Sequence, residues 1–393
     1  MFFTCNAMDH DNCSHSRQVS ERMQRYNATE VTSAAKGLAT GAAARESRPG
    51  LRIDIHCHYL NTAVGAKAAV LKPFEKEPSI VHASQATRDV NMGQMKLRAA
   101  KLSDIPTRLA DMDRMGIDVQ AVSPAPTQYY YYAEPDFGLE LARGVNDGIA
   151  NVVAAQPERF VGIGSVPLQD ATMAVRELTR CVEKLGFRGI EIGTHVNGVD
   201  LADKRLGLDK FFAKAEALGT MLFLHPMGFT QGERMTEHYF NNFIGNPVES
   251  TLAVSHLIFG GVMERFPKLK VCVPHGGGYM TMAHARMDHG WKVRPDAQAF
   301  IKKKPSSYLK KFYFDTVTFN PRLISDLVEQ FGASHVMMGS DYPFDMGDED
   351  PVGLVQRAPG LTSEVQAQIL GGNAMKLLGI KRSARRPVTP KAA

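Results

Sequence analysis

The chain is predicted to fold as an α/β protein, a (β/α)8 barrel of the TIM type with insertions on its carboxyl-terminal face. Eight short apolar runs recur along the sequence, amphipathic segments alternate with them, and no Gly-x-Gly-x-x-Gly motif follows an early run. Strand–helix alternation repeated in this way is typical of a closed barrel. An open doubly wound sheet stays an alternative, although the missing glycine motif argues against it.

The predicted strands are rich in β-branched and aliphatic residues, as strands covered on both faces are. They lie at 51–58, 119–124, 160–167, 187–193, 219–225, 269–275, 312–318 and 335–341. The predicted helices between them lie at 106–115, 137–155, 170–185, 209–217, 248–265 and 321–331. Two insertions, 60–104 and 229–247, follow the first and fifth strands, and we expect them to form a lid and a substrate or subunit contact.

Composition narrows the class of protein. With 393 residues, 44% of them hydrophobic, the chain can bury a large core, and no apolar run is long enough to predict a membrane span. Five scattered cysteines and an N-terminus without a signal-peptide pattern favour a reducing compartment, the cytoplasm.

The net charge of +5 is explained by one end of the chain. Residues 381–393 carry five basic groups and no acidic one, whereas segment 51–380 is near −1. The body therefore does not predict a nucleic-acid surface. Residues 1–50 are rich in Ser, Ala, Thr and Arg with little periodicity. We predict a mostly disordered extension over 1–50, a barrel over 51–380 and a solvated basic tail.

Two histidines close the first predicted strand, in Leu-Arg-Ile-Asp-Ile-His-Cys-His. Side chains alternate along a strand, so His56 and His58 share one face about 7 Å apart. Imidazole suits zinc, and such a pair can close on one divalent ion. A pair of chance histidines on a half-buried strand is the alternative.

Polar side chains also follow later predicted strands. His225 ends the fifth strand, His275 the sixth, and Asp341 the eighth. In a barrel the carboxyl ends of all strands meet on one face, where barrel enzymes carry their active sites. A single strand-end histidine is commonly structural, but the whole set predicts one metal-binding cluster.

Longer stretches resemble a known family. They are GNPVESTLAVSHLIFGGVMERFPKLKVCVPHGGG, ARMDHGW, FYFDTVTFNP, VMMGSDYPF and GGNAMKLLGI, with FVGIGSVPLQD and FRGIEIGTHVNG before them. Over residues 51–380 the chain resembles the amidohydrolase superfamily, in particular the amidohydrolase-related (amidohydrolase 2) family of aminocarboxymuconate-semialdehyde decarboxylase. That family consists of metal-dependent (β/α)8 barrels that remove carboxylates from unsaturated or aromatic acids without an organic cofactor.

The resemblance implies one divalent metal ion with four protein ligands: His56, His58, His225 and Asp341. It implies that His275 stands beside a metal-bound water as general acid/base, with Asp341 also catalytic. Such a ligand set leaves the cation with net positive charge, which brings the pKa of bound water towards neutrality. Family members with Glu in place of the first histidine often prefer Mn, so zinc is expected here and Mn is the alternative.

The resemblance also implies arginines that bind the substrate carboxylate, for which the guanidinium is a bidentate partner. Arg286, in ARMDHGW, matches a family arginine that reaches the neighbouring subunit's site, which implies a homodimer. Arg98, in the first insertion, lies near the position of another substrate arginine, with a solvated surface residue as the alternative.

Departures from the family concern the pocket wall. Relatives that act on aminocarboxymuconate semialdehyde commonly carry tryptophan where this chain has Met227, so we expect a different acid. The run 129–132, four tyrosines, either lines the pocket rim or packs as a loop. The three glycines at 276–278 either admit substrate closely or form a tight turn.

The expected function is therefore non-oxidative, metal-dependent decarboxylation of a small aromatic or unsaturated carboxylic acid, with no nucleic-acid or membrane partner. A hydrolase or hydratase on the same metal site is the main alternative, since it needs the same groups. A catalytically silent barrel that only binds a ligand is the third.

Overall fold

Eight parallel strands form one sheet in which each strand pairs with its neighbours in sequence. The computed structural model describes residues 50–380. The strands are β1 (Ile53–Tyr59), β2 (Val119–Pro124), β3 (Phe160–Gly164), β4 (Gly189–Ile192), β5 (Met221–Leu224), β6 (Lys270–Val273), β7 (Tyr313–Asp315) and β8 (Val336–Met337).

The sheet closes between its first and last strands. The backbone N–H of Ile55 donates to the carbonyl of Met338 (2.9 Å), and that of His58 donates to the carbonyl of Tyr342 (2.7 Å). These bonds join β1 to β8 and to the chain that follows it. The predicted (β/α)8 barrel is therefore confirmed, and the open sheet is excluded.

Helices cover the outside of the barrel. They are α1 (Thr62–Ala68), α2 (Pro78–Val81), α3 (Gln85–Ser103), α4 (Ile105–Met115), α5 (Pro135–Ala155), α6 (Ala171–Glu183), α7 (Asp209–Leu218), α8 (Asn246–Phe259), α9 (Val262–Arg265), α10 (Met280–Val293), α11 (Pro305–Leu309), α12 (Pro321–Phe331), α13 (Pro351–Gln356), α14 (Ser363–Ala367) and α15 (Asn373–Leu378). The helix predicted over 248–265 is divided into α8 and α9. Gly261 between them has a φ of +73°, a conformation that a continuing helix does not allow.

The two predicted insertions pack on each other over the carboxyl-terminal face. The first contains α1, α2 and the 19-residue helix α3, whose first turn is capped by Ser84. The backbone N–H of Ser84 donates to the carbonyl of Thr236 in the second insertion (2.9 Å). Gly228 approaches Ser79 so closely that a Cβ at this glycine would lie 2.6 Å from the Ser79 nitrogen.

The core has two layers. Inside the barrel, apolar side chains of the strands pack together, among them Ile53, Ile55, Met221 and Phe223, and α15 closes the amino-terminal end. A larger layer lies between the strands and the surrounding helices. Burial at both faces explains why the strands read as continuous apolar runs.

The structure tests some of the remaining sequence predictions. Within residues 50–380, no helix combines the length and apolar character needed to cross a membrane. Cys57, Cys181 and Cys272 are buried free thiols. The predicted extension over 1–50 and the tail over 381–393 lie, apart from Gly50, outside the described residues.

Candidate active site at the carboxyl-terminal face

A β-bulge in β1 turns the two histidines towards the barrel interior. Asp54 pairs with Gln120 and Cys57 with Val122, so β1 carries one residue more than β2 between these pairs. Ile55 and His56 can therefore both face inwards, whereas simple alternation would have placed them on opposite faces. Cys57, between the two histidines, packs in the outer layer.

His56 and His58 point their Nε2 atoms at the same place. The Nδ1 of His58 lies 2.9 Å from the carbonyl oxygen of Pro124, and a carbonyl only accepts, so Nδ1 carries the proton. The Nδ1 of His56 donates to the Asp315 carboxylate (2.6 Å). The two Nε2 atoms then face each other at 3.1 Å, so a proton or a metal ion is needed between them. A cation between them relieves this arrangement.

His225 contributes a third imidazole with the same orientation. Its Nδ1 donates to the carbonyl of Pro226 (2.7 Å), and its buried Nε2 has no hydrogen-bond partner among residues 50–380. Burial, reinforced by the neighbouring histidines, lowers the pKa of His225 well below its usual value. His225 is therefore neutral, the form that binds a metal.

Asp341 brings the carboxylate. Its Oδ1 lies 3.1 Å from Nε2 of His58 and 3.2 Å from Nε2 of His56. Burial alone would raise the pKa of Asp341, but His56, His275 and His58 outweigh burial and hold it well below the usual range. The residue has a φ of +58° and its backbone N–H donates to the carbonyl of His56 (2.8 Å). Such a rare conformation in a buried site is typical of functional residues.

Asp315 is a residue that the sequence analysis missed. It ends β7 in the quoted stretch FYFDTVTFNP, and its position after an apolar strand was the available signal. One carboxylate oxygen accepts from His56, and the other accepts from the backbone N–H of Gly276 (3.0 Å) and Val317 (3.1 Å). Burial disfavours a charged His56, but Asp341 and Asp315 outweigh it and raise its pKa to about 10.

His275 lies at the more open side of the cluster. Its Nε2 is 3.4 Å from Oδ2 of Asp341, and its side chain is 17% exposed, whereas those of His56 and His58 are fully buried. Its Nδ1 has no hydrogen-bond partner in the described part of the chain. The His275 side chain is therefore the most accessible of the cluster, although its Nδ1 atom is buried.

The donor atoms fit one divalent cation. Ligand atoms of His56, His225, His275 and Asp341 all lie within 4.8 Å of one another, and His58 approaches two of them to 3.1 Å. Zinc with ligands at about 2.0–2.1 Å requires spacings of roughly 3.4 Å between ligands. The structure brings all five predicted residues together. The assignment of His56, His58, His225 and Asp341 as ligands, and of His275 to proton transfer, stays a prediction.

A buried network fixes the backbone beneath this cluster, and the sequence analysis did not find it. Arg108 on α4 is 2% exposed and donates to the carbonyl oxygen of His58 and to Oε1 of Gln120 (3.0 Å). Gln120 in turn donates to Asp54 (3.0 Å), which also accepts from the hydroxyl (2.6 Å) and backbone N–H (3.0 Å) of Ser340. This network ties β1 and β2 to the segment that carries Asp341.

The three glycines after His275 form a tight turn. Gly278 has φ +63° and ψ −126°, a region open essentially to glycine alone. A Cβ at Gly278 would lie 2.5 Å from the carbonyl oxygen of Pro247, and one at Gly277 would lie 2.6 Å from the Phe314 ring. The turn interpretation is therefore correct, and these glycines pack against protein.

We expect Gly278→Ala to lower the free energy of unfolding by about 1–3 kcal/mol, the range for forcing a side chain into such a conformation. Chemical denaturation measures it. Gly290→Ala is the matched control, because its Cβ meets nothing within 4 Å on helix α10, and alanine favours a helix. Equal stabilities of the two variants would contradict the account of the turn.

The two predicted substrate arginines differ in location. Arg98 lies on α3 at 4% exposure, with Nη1 bonded to Gln94, so the surface alternative is wrong. It borders a crevice with Tyr342 and Phe344, and the Phe344 ring lies 5.2 Å from the ring of His58. Arg286 is exposed on α10. Contact of either with substrate stays a prediction.

The tyrosine run is both packed and part of a pocket. All four side chains line a cavity of about 400 Å³, and Tyr129 to Tyr131 are buried. The hydroxyl of Tyr129 donates to Glu191 on β4 (2.7 Å), whose second oxygen lies 3.8 Å from Nδ1 of His58. Burial raises the pKa of Glu191.

Comparison with known proteins agrees with this geometry. Residues 53–380 match the family model described as amidohydrolase. A 2-amino-3-carboxymuconate-6-semialdehyde decarboxylase of Dictyostelium discoideum is 37% identical over 278 residues, 70% of this chain and 77% of the relative. The hydrolase or hydratase alternative is accordingly not favoured.

Two solved structures share the fold. A 5-carboxyvanillate decarboxylase from Sphingomonas paucimobilis superposes with a TM-score of 0.74 at 26% identity, covering 84% of this chain and 99% of that one. A dihydroxybenzoic acid decarboxylase from Polaromonas, solved with manganese and 2-nitroresorcinol, gives 0.71 at 23% identity, covering 85% and 98%. The chain belongs to the amidohydrolase family, among its metal-dependent decarboxylases.

Proposed function

We propose that this protein removes CO2 from a small aromatic or unsaturated carboxylic acid, with His56, His58, His225 and Asp341 holding one divalent ion. The observation that carries the proposal is the shared orientation of three imidazoles. Each donates its Nδ1 proton outwards and points Nε2 at the same point beside the Asp341 carboxylate. A bound divalent ion supplies Lewis acidity that orients the substrate and accepts electron density.

We assign the proton-transfer step of the reaction to His275. Decarboxylation breaks a carbon–carbon bond, CO2 leaves, and the electron pair stays on the ring or alkene carbon, which needs a proton. We assign to His275, whose Nε2 lies 3.4 Å from Asp341, the delivery of that proton and its recovery from solvent. Asp341 stabilises the protonated imidazole in the meantime. The Phe223 ring packs on His56 and the Phe344 ring packs on His58, with ring centroids 5.0 and 5.2 Å apart.

Trapping of released CO2 tests the proposal. A panel of dihydroxybenzoates, 5-carboxyvanillate, methylsalicylate and muconate semialdehydes is incubated with metal-loaded protein under nitrogen. We expect one CO2 for each acid consumed, without an added cofactor. Cleavage of esters, lactones or amides with every carboxylate left intact would contradict it.

We propose zinc as the resident metal. The donor set is rich in imidazole, which suits zinc, and the chain keeps both histidines of the His-x-His pair. Metal-stripped protein is titrated with zinc or with manganese in parallel, and CO2 release is followed. We expect zinc to restore turnover at one equivalent. Restoration by manganese alone would overturn this choice.

We further propose a homodimer in which Arg286 reaches the partner's site. Arg286 is exposed on α10, next to exposed apolar side chains of the same face, Tyr279 and Met282. Mixing Arg286→Ala subunits with His275→Ala subunits should restore turnover that neither variant has alone, because each mixed dimer contains one complete site. No complementation after verified subunit exchange would remove the role of Arg286 across an interface.

We propose that the catalytic unit is segment 51–380 and that it works in the cytoplasm. The family match over 53–380 supports the first part, and the buried free thiols support a reducing compartment. Substrate contact by Arg98 is proposed as well, because it lies buried beside Phe344.

A further inference from the structure

A second cavity lies beside the histidine cluster. Its volume is about 400 Å³, and its walls come from residues 75–82, 129–132, 193–198 and 227–230. In the described chain, none of the five cluster side chains lines it. Tyr129 lies at the border between the cavity and the cluster, since its hydroxyl contacts the carbonyl of His225 (3.5 Å).

The cavity is preformed, because hydrogen bonds join its walls. Nε2 of His82 bonds the carbonyl oxygen of Thr230 (3.0 Å), so the first insertion is fixed to the loop after β5. The Asn197 amide donates to the carbonyl of Tyr131 (2.9 Å), and the backbone N–H of Gly193 donates to the Tyr131 hydroxyl (3.1 Å). A volume of this size matches a small-molecule site, for which about 300 Å³ is the lower bound.

One residue that lines the cavity has a carboxylate oxygen without a hydrogen-bond partner among residues 50–380. The side chain of Glu77 is 1% exposed, and the Tyr132 hydroxyl donates to its Oε1 (2.6 Å). Its buried Oε2 has no hydrogen-bond partner among residues 50–380. A buried carboxyl group with one oxygen unpartnered is costly, and a cationic ligand can satisfy it by pairing with the ionised form.

The other lining groups favour a cation. The rings of Tyr129 and Tyr131 stack with centroids 5.5 Å apart, and tyrosine faces attract ammonium groups. Nδ1 of His195 accepts from the backbone N–H of Gly198 (3.1 Å), and burial lowers the pKa of His195, so it brings no positive charge. Glu75 and Lys76, which are both exposed, also line the cavity, and Glu75 pairs with Lys72 (3.4 Å), so the buried charge is that of Glu77.

We propose that this cavity is a second ligand site, which binds a small ammonium compound with Glu77 as its acceptor and the tyrosines as its walls. No side chain of the metal cluster lines this site, and the binding of the ammonium compound is not a step of the decarboxylation that we assign to the cluster. Sequence position alone does not reveal it, because Glu77 and the tyrosine run meet only in the fold.

Binding of a cation at this site should release a proton, and this release can be measured. Burial raises the pKa of Glu77 to about 8, against the opposing hydrogen bond from Tyr132. A cation that binds at pH 7 therefore displaces a proton from the cavity, since ionised Glu77 is the form that pairs with it. The titratable groups facing the same space are Glu75, Lys76, His82, His195 and the four tyrosines.

Calorimetry on the full-length, metal-loaded protein tests the site with two probes of similar shape, 2-phenylethylammonium and 2-phenylethanol. We expect the ammonium to bind at least about tenfold tighter, with proton release in buffers of different ionisation enthalpy. Glu77→Gln should abolish this preference and the proton release. Glu134→Gln, an exposed residue outside the cavity lining, should change neither.

Further variants keep the proposal falsifiable if Glu77→Gln unfolds. Tyr132→Phe removes the donor to Oε1, so the ammonium should bind more weakly and 2-phenylethanol equally well. Asp341→Asn disables the metal cluster and should leave ammonium binding unchanged. Equal affinity for both probes, a preference that survives Glu77→Gln, or loss of binding in Asp341→Asn would each overturn the second site.

Discussion

His275→Ala is expected to keep the metal and to lose at least about 10²-fold in kcat, because a positioned acid/base contributes roughly 10²–10⁴-fold. The imidazole is the most open member of the cluster, and its Nε2 lies 3.4 Å from Oδ2 of Asp341. Metal content is measured by mass spectrometry beside single-turnover CO2 release. The substrate KM should change little, since the four proposed ligands remain.

The matched control is His289→Ala, an exposed histidine on α10, which should match the unchanged protein in both measurements. If His275→Ala instead loses the metal, His275 is a ligand and the proton comes from elsewhere. If it keeps full turnover, the proposed acid/base role is wrong.

Asp315→Asn is expected to weaken metal binding by about 10–100-fold, the usual effect of losing a partner behind a ligand histidine. Asp315 accepts the Nδ1 proton of His56 at 2.6 Å, which orients the ring and makes Nε2 a better donor. An amide has no charge, and it can present its NH2 to the same nitrogen. A titration against a competing chelator gives the affinity.

Asp170→Asn serves as the control for a change from carboxylate to amide. Asp170 caps α6 by accepting from the backbone N–H of Thr172 (2.8 Å) and Met173 (2.9 Å). It makes no contact with a proposed metal ligand through these bonds. Its replacement should leave metal affinity unchanged. Unchanged affinity in Asp315→Asn as well would show that the Asp315 carboxylate does not tune the site.

The sequence predicted the barrel because its two signals are local. Apolar runs and amphipathic segments alternate, and each follows from burial of one strand or helix. The order of His56, His225, His275 and Asp341 at strand ends was also visible, since parallel strands in a barrel carry their carboxyl ends to one face.

The parts that sequence reasoning missed depend on contacts between distant segments. Asp315 is one strand-end carboxylate among many acidic residues until the fold places it behind His56. The sequence does not distinguish Arg108 from other helix residues, yet its guanidinium donates a hydrogen bond to the carbonyl of His58. The bulge in β1 adds one residue to the strand, so that Ile55 and His56 can both face inwards. Strand periodicity does not predict this, because it places consecutive residues on opposite faces.

Metal content measured against turnover on one purified preparation tests the central account most directly. Protein stripped with a chelator is reloaded stepwise with zinc, and both bound metal and CO2 release are recorded at each step. We predict turnover that rises linearly and reaches its maximum at one ion per chain. Full CO2 release from the stripped protein would contradict a cluster of imidazoles and one carboxylate built to hold that ion.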